Sequence, residues 1–173
     1  MCGPEAGEPV STGEAGAARP STAPGGWAAV HHVGVTVRDL DRSAAFWERL
    51  VGSAARDRRV LQGPQLSTMV GYEGIRIDSC WVDLPGGVAL ELLHYLDRHE
   101  QPYDPGTAHP GNVHLCLHVA DMDAAHAHAV ACGAEPVSEH PIDVAAGPRA
   151  GSRLAYLRDP DGVTLELLQP PLG

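Results

Sequence analysis

The chain has 173 residues, enough for one ordinary domain or two small modules sharing a core. Its formal charge of −10, with arginine as the sole strong cation, argues against a nucleic-acid surface, and the absence of lysine excludes Schiff-base chemistry and a P-loop lysine. No apolar run approaches the ~18 residues of a membrane span, no signal peptide is visible, and four widely spaced cysteines (Cys2, Cys80, Cys116, Cys132) form no CxxC pair, so a reducing, cytoplasmic setting is expected.

Residues 1–26 are mostly Gly, Pro, Ala, Glu, Ser and Thr, with a single valine beside Met1, Cys2 and Arg19. Such a segment buries too little apolar surface to offset its ordering entropy, so a disordered tail is expected. From Trp27 onward the chain repeats itself. "HVGVTVRDLDRSAAFWERLVG" (32–52) aligns with "HLCLHVADMDAAHAHAVACG" (114–133), and "PGGVALELL" (85–93) aligns with "PDGVTLELL" (160–168). An internal duplication of this kind governs the fold reading.

Each half reads as βαβββ. A strand at about Val30–Val37 alternates strictly, with Val33, Val35 and Val37 on one face. Asp39 or Asp41 can cap a helix that Gly52 ends, with Phe46, Trp47, Leu50 and Val51 as its buried stripe. Strands near 54–60, 76–84 and 87–95 follow. In the second half a strand at 113–119 leads to a helix starting at Asp121 or Asp123 and closed by Gly133. Strands near 134–138, 152–158 and 162–169 complete the copy, the last two joined by the turn "DPDG". The fold class is α+β, built of two modules of about 27–105 and 110–170.

Two glutamates stand inside apolar strands, Glu91 in "GVALELLHY" and Glu166 in "GVTLELLQP". A buried, unpaired carboxylate is costly, so each needs a partner. Strand parity suggests one. His32 shares a face with Gly34 and Thr36, and His114 with Cys116 and His118. Glu91 and Glu166 each point away from their aliphatic neighbours. Two imidazoles and two carboxylates at repeat-equivalent positions suit a divalent metal.

These stretches resemble the vicinal oxygen chelate superfamily, which includes glyoxalase I, methylmalonyl-CoA epimerase, extradiol dioxygenases and fosfomycin- and bleomycin-resistance proteins. The matching segments are "HHVGVTVRDLDRSAAFW", "GVALELL", "NVHLCLHVADMDAA" and "YLRDPDGVTLELLQP", covering most of residues 28–170. The resemblance implies βαβββ modules curled as a mixed sheet around a metal cup, with His32, Glu91, His114 and Glu166 as ligands of one divalent ion per site (Ni, Co, Zn, Mn, Mg or Fe). His31 has the opposite parity and is left out. The resemblance further implies a homodimer acting on a small molecule, with each site's ligands drawn from one chain or from two. A four-ligand set implies glyoxalase-like lyase or epimerase-like isomerase chemistry, in which Glu91 or Glu166 moves a proton. An Fe(II)-dependent dioxygenase and an antibiotic-binding protein are the rival readings.

Other residues are weighed beside these. Cys116 and His118 share the His114 face and could touch substrate or hydrogen-bond a ligand. Arg149 and Arg153, in "AAGPRAGSR", could clamp a substrate carboxylate or phosphate. Met69 and Tyr72, in "QGPQLSTMVGYEG", could form an apolar wall. Arg56, Arg58 and Arg59 could meet a phosphate but read as solvent-facing. His126 and His128 are expected on the helix surface, and His94, His99, His109 and His140 in solvent.

Overall fold

The computed structural model describes residues 24, 26, 28–98 and 104–171, so most of the expected tail, and His99, lie outside the described residues. One compact unit runs from His32 onward. Its first half contains β1 (His32–Thr36), α1 (Leu40–Val51), β2 (Arg56–Gln62), α2 (Pro64–Val70), β3 (Arg76–Asp83) and β4 (Ala89–Tyr95). The second contains β5 (His114–His118), α3 (Met122–Cys132), β6 (Glu135–Pro136), β7 (Ile142–Asp143), β8 (Arg153–Arg158) and β9 (Thr164–Gln169). The strands form two mixed sheets, ordered β1-β4-β3-β2 and β5-β9-β8-β6, with β7 also paired to β8. Both outer strands that open a module run parallel to the strand that closes it, β1 with β4 and β5 with β9.

Local chemistry explains the element ends. The Asp39 carboxylate accepts from the Arg42 amide at 3.0 Å and caps α1, and Asp121 does the same for Ala124 in α3. Gly52 ends α1 at φ 71°, in the left-handed region where a side chain would be strained. Asp41 and Asp123 fall in the first turns instead. Two features are absent from the sequence reading: α2, which interrupts the first module, and β7, a two-residue strand.

Both helices pack on aliphatic sheet faces, and the core is shared. Val37, Leu40, Phe46, Trp47, Val82, Leu90 and Leu92 from the first module join Met122, Ala129, Leu157, Leu165 and Leu167 from the second. The helices also meet end to end. Arg49 donates to the Cys132 carbonyl at 3.1 Å, and His128 Nε2 lies 3.0 Å from the Arg49 carbonyl and 3.2 Å from that of Leu50. Both partners are acceptors, so Nε2 carries the proton. His128 is exposed, as expected, and also joins the two helices, whereas His126 is half-buried with a buried Nε2 and departs from the surface role expected of it.

A second tie joins the modules through the β8–β9 turn. Asp161, with only 4% of its side chain exposed, accepts from the Ser43 hydroxyl at 2.5 Å, from the Arg38 amide at 3.1 Å and side chain at 3.0 Å, and from Arg42 at 2.7 Å. Burial pushes its carboxyl up, but these donors outweigh burial and hold it below the ordinary carboxylate value. No helix among the described residues is long and apolar enough to cross a membrane.

Asp161→Asn should lower the unfolding free energy by about 1–3 kcal/mol, a modest cost because both guanidinium groups are half exposed and screened. A depressed folded pKa gives stability that is present above the unfolded value and lost as pH falls through the folded one. In urea denaturation, the wild-type advantage should therefore shrink below about pH 4. An advantage that stays constant through that range would contradict the ion-pair account.

Candidate metal centre

The alternation in β1 and β5 sends His32, Gly34 and Thr36, and His114, Cys116 and His118, to the faces opposite the shared core. Register then sets each glutamate beside its histidine. Glu91 pairs with Gly34, and Glu166 with Cys116, in each case two residues beyond the histidine on the neighbouring strand. His32 Nε2 lies 3.4 Å from Glu91 Oε2, and His114 Nε2 lies 2.9 Å from Glu166 Oε2. The Glu91 side chain is 16% exposed and that of Glu166 only 7%.

An aromatic ring backs each pair. Trp81, opposite Glu91 in β3, meets the His32 ring edge-on with centroids 5.0 Å apart. Tyr156, opposite Glu166 in β8, stands 5.4 Å from the His114 ring. The sequence reading missed both, although each stands ten residues ahead of its glutamate, a repeat signal that was there to find. Further along the Glu91 face, Tyr95 meets Tyr72 edge-on at 6.1 Å, and the Arg98 guanidinium lies 4.1 Å over the Tyr72 ring. Tyr72 thus packs at the far end of the strand that carries Glu91.

The four residues do not converge within one chain. Among the described residues, no three His, Cys, Asp or Glu side chains form a metal-sized group. They stand as two pairs on two sheets, and β1 and β5 are each an outer strand. A cleft of about 380 Å³ is lined by residues of both strands, including Val33, Val35 and Leu115, with Trp47, Leu90 and Val163. Each pair offers an imidazole nitrogen and a carboxylate oxygen. Two such pairs form a donor set that fits a divalent cation and would neutralise it. Glu166 in particular is a deeply buried carboxylate whose near partners are an imidazole, a thiol and one distant guanidinium.

Arg149 supplies that guanidinium, with Nη1 3.7 Å from Glu166 Oε1. Arg153 does not join it, contrary to expectation. Its place in β8 has the parity of core residues Ala155 and Leu157, so it turns to the helix side. There it holds both oxygens of Asp123 at 2.9 Å and Asp143 at 3.1 Å. Met69 is likewise no wall: it stands 76% exposed on α2, a helix with no buried residue. His118 stays on the His114 face, exposed, opposite Leu168.

The arginine run of β2 is divided by a bulge. The register shifts between Arg56 and Arg59, where Asp57 adopts φ 53°. Arg56 pairs with Asp57 and Asp83 and lies 5.9 Å over Trp81. Arg58 goes to the helix side, bound to Asp41 and Asp78.

Residues 31–156 match the family described as the Glyoxalase/Bleomycin resistance protein/Dioxygenase superfamily. The chain is 32% identical over 151 residues to a 2-epi-5-epi-valiolone epimerase of Actinomyces sp, covering 86% of this chain and 82% of that protein. It is 27% identical to a lactoylglutathione lyase of Pseudomonas putida, covering 81% and 84%. A solved glyoxalase family protein of Bacillus cereus superposes with a TM-score of 0.68 at 23% identity, over 82% of this chain and 93% of that one, a likeness of fold.

Although Cys116 is exposed as a residue, local desolvation of its sulfur, then the Glu166 charge and a hydrogen bond to that carboxylate, push its thiol up, against Arg149. At pH 8, Cys116 should alkylate with iodoacetamide several-fold more slowly than an unstructured cysteine, as read by peptide mass spectrometry. Glu166→Gln should quicken it. Reaction at the rate of a free thiol would place the sulfur away from Glu166.

Proposed function

The chain belongs to the Glyoxalase/Bleomycin resistance protein/Dioxygenase superfamily, and on that premise we propose that it is a divalent-metal-dependent isomerase that moves a proton on the carbon next to a substrate carbonyl. The observation that carries this reading is the repeat-related pair of His–Glu contacts, His32 with Glu91 and His114 with Glu166. Retention of both glutamates favours proton transfer over oxygen activation. His32, Glu91, His114 and Glu166 would hold the divalent ion, which would supply a Lewis acid for the substrate oxygens.

The remaining chemistry belongs to the chain. The imidazoles act as neutral nitrogen donors. A glutamate carboxylate, Glu91 or Glu166, takes the proton from the carbon beside the carbonyl. Returning that proton to the opposite face of the same carbon is epimerisation. Returning it to the neighbouring carbon is the lyase-type outcome. Trp81 and Tyr156 give ring faces for the carbon skeleton, while Arg149 and His118 offer donors for its oxygens. The more similar of the two named enzymes is an epimerase, which supports epimerisation of a small, hydroxylated cyclic ketone as the first reaction to test.

We also propose that a homodimer completes the site in the cytoplasm. β1 and β5, which carry His32 and His114, are outer strands of their sheets among the described residues, and an outer strand is a template for another strand. Two-fold pairing of β1 with the same β5 on a second copy would create two equal four-ligand sites.

Two measurements check this. In D2O, the protein loaded with a divalent metal should exchange deuterium into 2-epi-5-epi-valiolone at the epimerised carbon. The hemithioacetal precursor of lactoylglutathione serves as the lyase substrate. Glu91→Gln or Glu166→Gln should cost at least ~100-fold. Iron-dependent oxygen uptake with a catechol would overturn the reading. For the dimer, neither His32→Ala nor His114→Ala should be active alone, yet mixing and reannealing them should restore about a quarter of wild-type activity, since half of the dimers then hold one intact site. No recovery would put all four ligands in one chain.

A further inference from the structure

The two half-sites share their histidine, glutamate and aromatic ring, and Arg56 stands over the Trp81 ring of the first, but among the described residues only the second has a guanidinium paired with its glutamate. The Arg149 guanidinium approaches Glu166 Oε1 at 3.7 Å, while among the described residues no arginine forms an ion pair with Glu91. Arg149 also lies within electrostatic reach of Cys116 and Tyr156, on either side of Glu166, where it opposes the burial and the Glu166 charge that push both groups up. Its guanidinium therefore stands over the patch formed by Cys116, Glu166 and Tyr156.

The backbone beneath Arg149 is pinned, but its side chain is not. The loop is closed by Val144 donating to the Ser152 carbonyl and Gly151 to the Val144 carbonyl, each at 2.9 Å. Within it, Ala150 donates to Gly147 and Ser152 to Arg149, each at 3.0 Å. The side chain is 61% exposed, and its contact with Glu166 is longer than a hydrogen bond. Such a pair is an electrostatic contact that the guanidinium can leave without breaking fixed geometry. Arg153, four residues on at the start of β8, has no such freedom, being held by Asp123 and Asp143.

We propose that Arg149 is a built-in counter-cation of Glu166 that competes with the divalent metal for this carboxylate, and so sets the metal affinity of the second half-site. The proposal rests on the metal-enzyme reading above. A dication taking Glu166 must either displace the guanidinium or tolerate its positive charge nearby, and both outcomes weaken binding. Arginine cannot shed its proton to relieve the conflict, so the side chain has to move.

The test is Zn(II) and Co(II) affinity of the full chain at pH 8, measured by competition with a chromophoric chelator. Arg149→Gln should bind metal on the order of tenfold more tightly than wild type. Arg149→Lys, which keeps the charge, should return toward the wild-type value, and Arg153→Gln should match wild type. An Arg149→Gln affinity equal to or weaker than wild type, in a protein that binds metal and loses it on Glu166→Ala, overturns this proposal alone. No metal binding by any variant, wild type included, overturns both this proposal and the enzyme reading.

Discussion

An ionised carboxylate cannot be withdrawn from water unless donors or a cation come with it, and this constraint organises the molecule. Asp161 meets it with Ser43, Arg38 and Arg42, and in doing so ties the β8–β9 turn to the start of α1. Among the described residues, Glu166 meets it with His114 and Arg149, and Glu91 with His32. The first case is saturated, with every contact short, so the residue serves as a latch. The other two are undersupplied. Their nearest partners are imidazoles, which carry no charge unless protonated, so both keep an appetite for a cation.

Duplication explains why the undersupplied carboxylates come as a pair. Each module places a histidine at the start of an outer strand and a glutamate on the parallel strand beside it, and strand alternation sends both away from the core. The same hairpin register then brings Trp81 opposite Glu91 and Tyr156 opposite Glu166. The differences between the copies lie where chemistry needs asymmetry. Gly34 in one copy is Cys116 in the other, and Arg149 has an electrostatic role only beside Glu166.

Alternation and repetition made the ligand residues legible. Parity alone set His32, Glu91, His114 and Glu166 on the face away from the core, and composition narrowed the caps to Asp39 or Asp41 and Asp121 or Asp123, of which the structure uses the first of each. Arg153 misled because a loop-adjacent arginine was assigned a face before its strand phase was known; its parity with Ala155 and Leu157 sends it to Asp123. The arginine run is solvent-facing as read, but a bulge at Asp57 that composition does not show separates Arg56 from Arg58. The "DPDG" turn read as a turn and nothing more, because its partners Arg38, Arg42 and Ser43 lie about 120 residues earlier in the chain.

The sequence by itself determined what is periodic and local: two βαβββ copies, the helix caps, and the faces on which the histidines and glutamates stand. These follow from steric rules that act over a few residues and need no knowledge of the rest of the chain. Tertiary structure alone decided that the strands divide into two sheets, that Asp161 joins the modules, and that the ligand residues remain two pairs. It alone also brought Arg149 to Glu166. Each of these depends on which surfaces pack together, and packing is settled by burial and charge pairing between segments far apart in the chain, which no local pattern encodes.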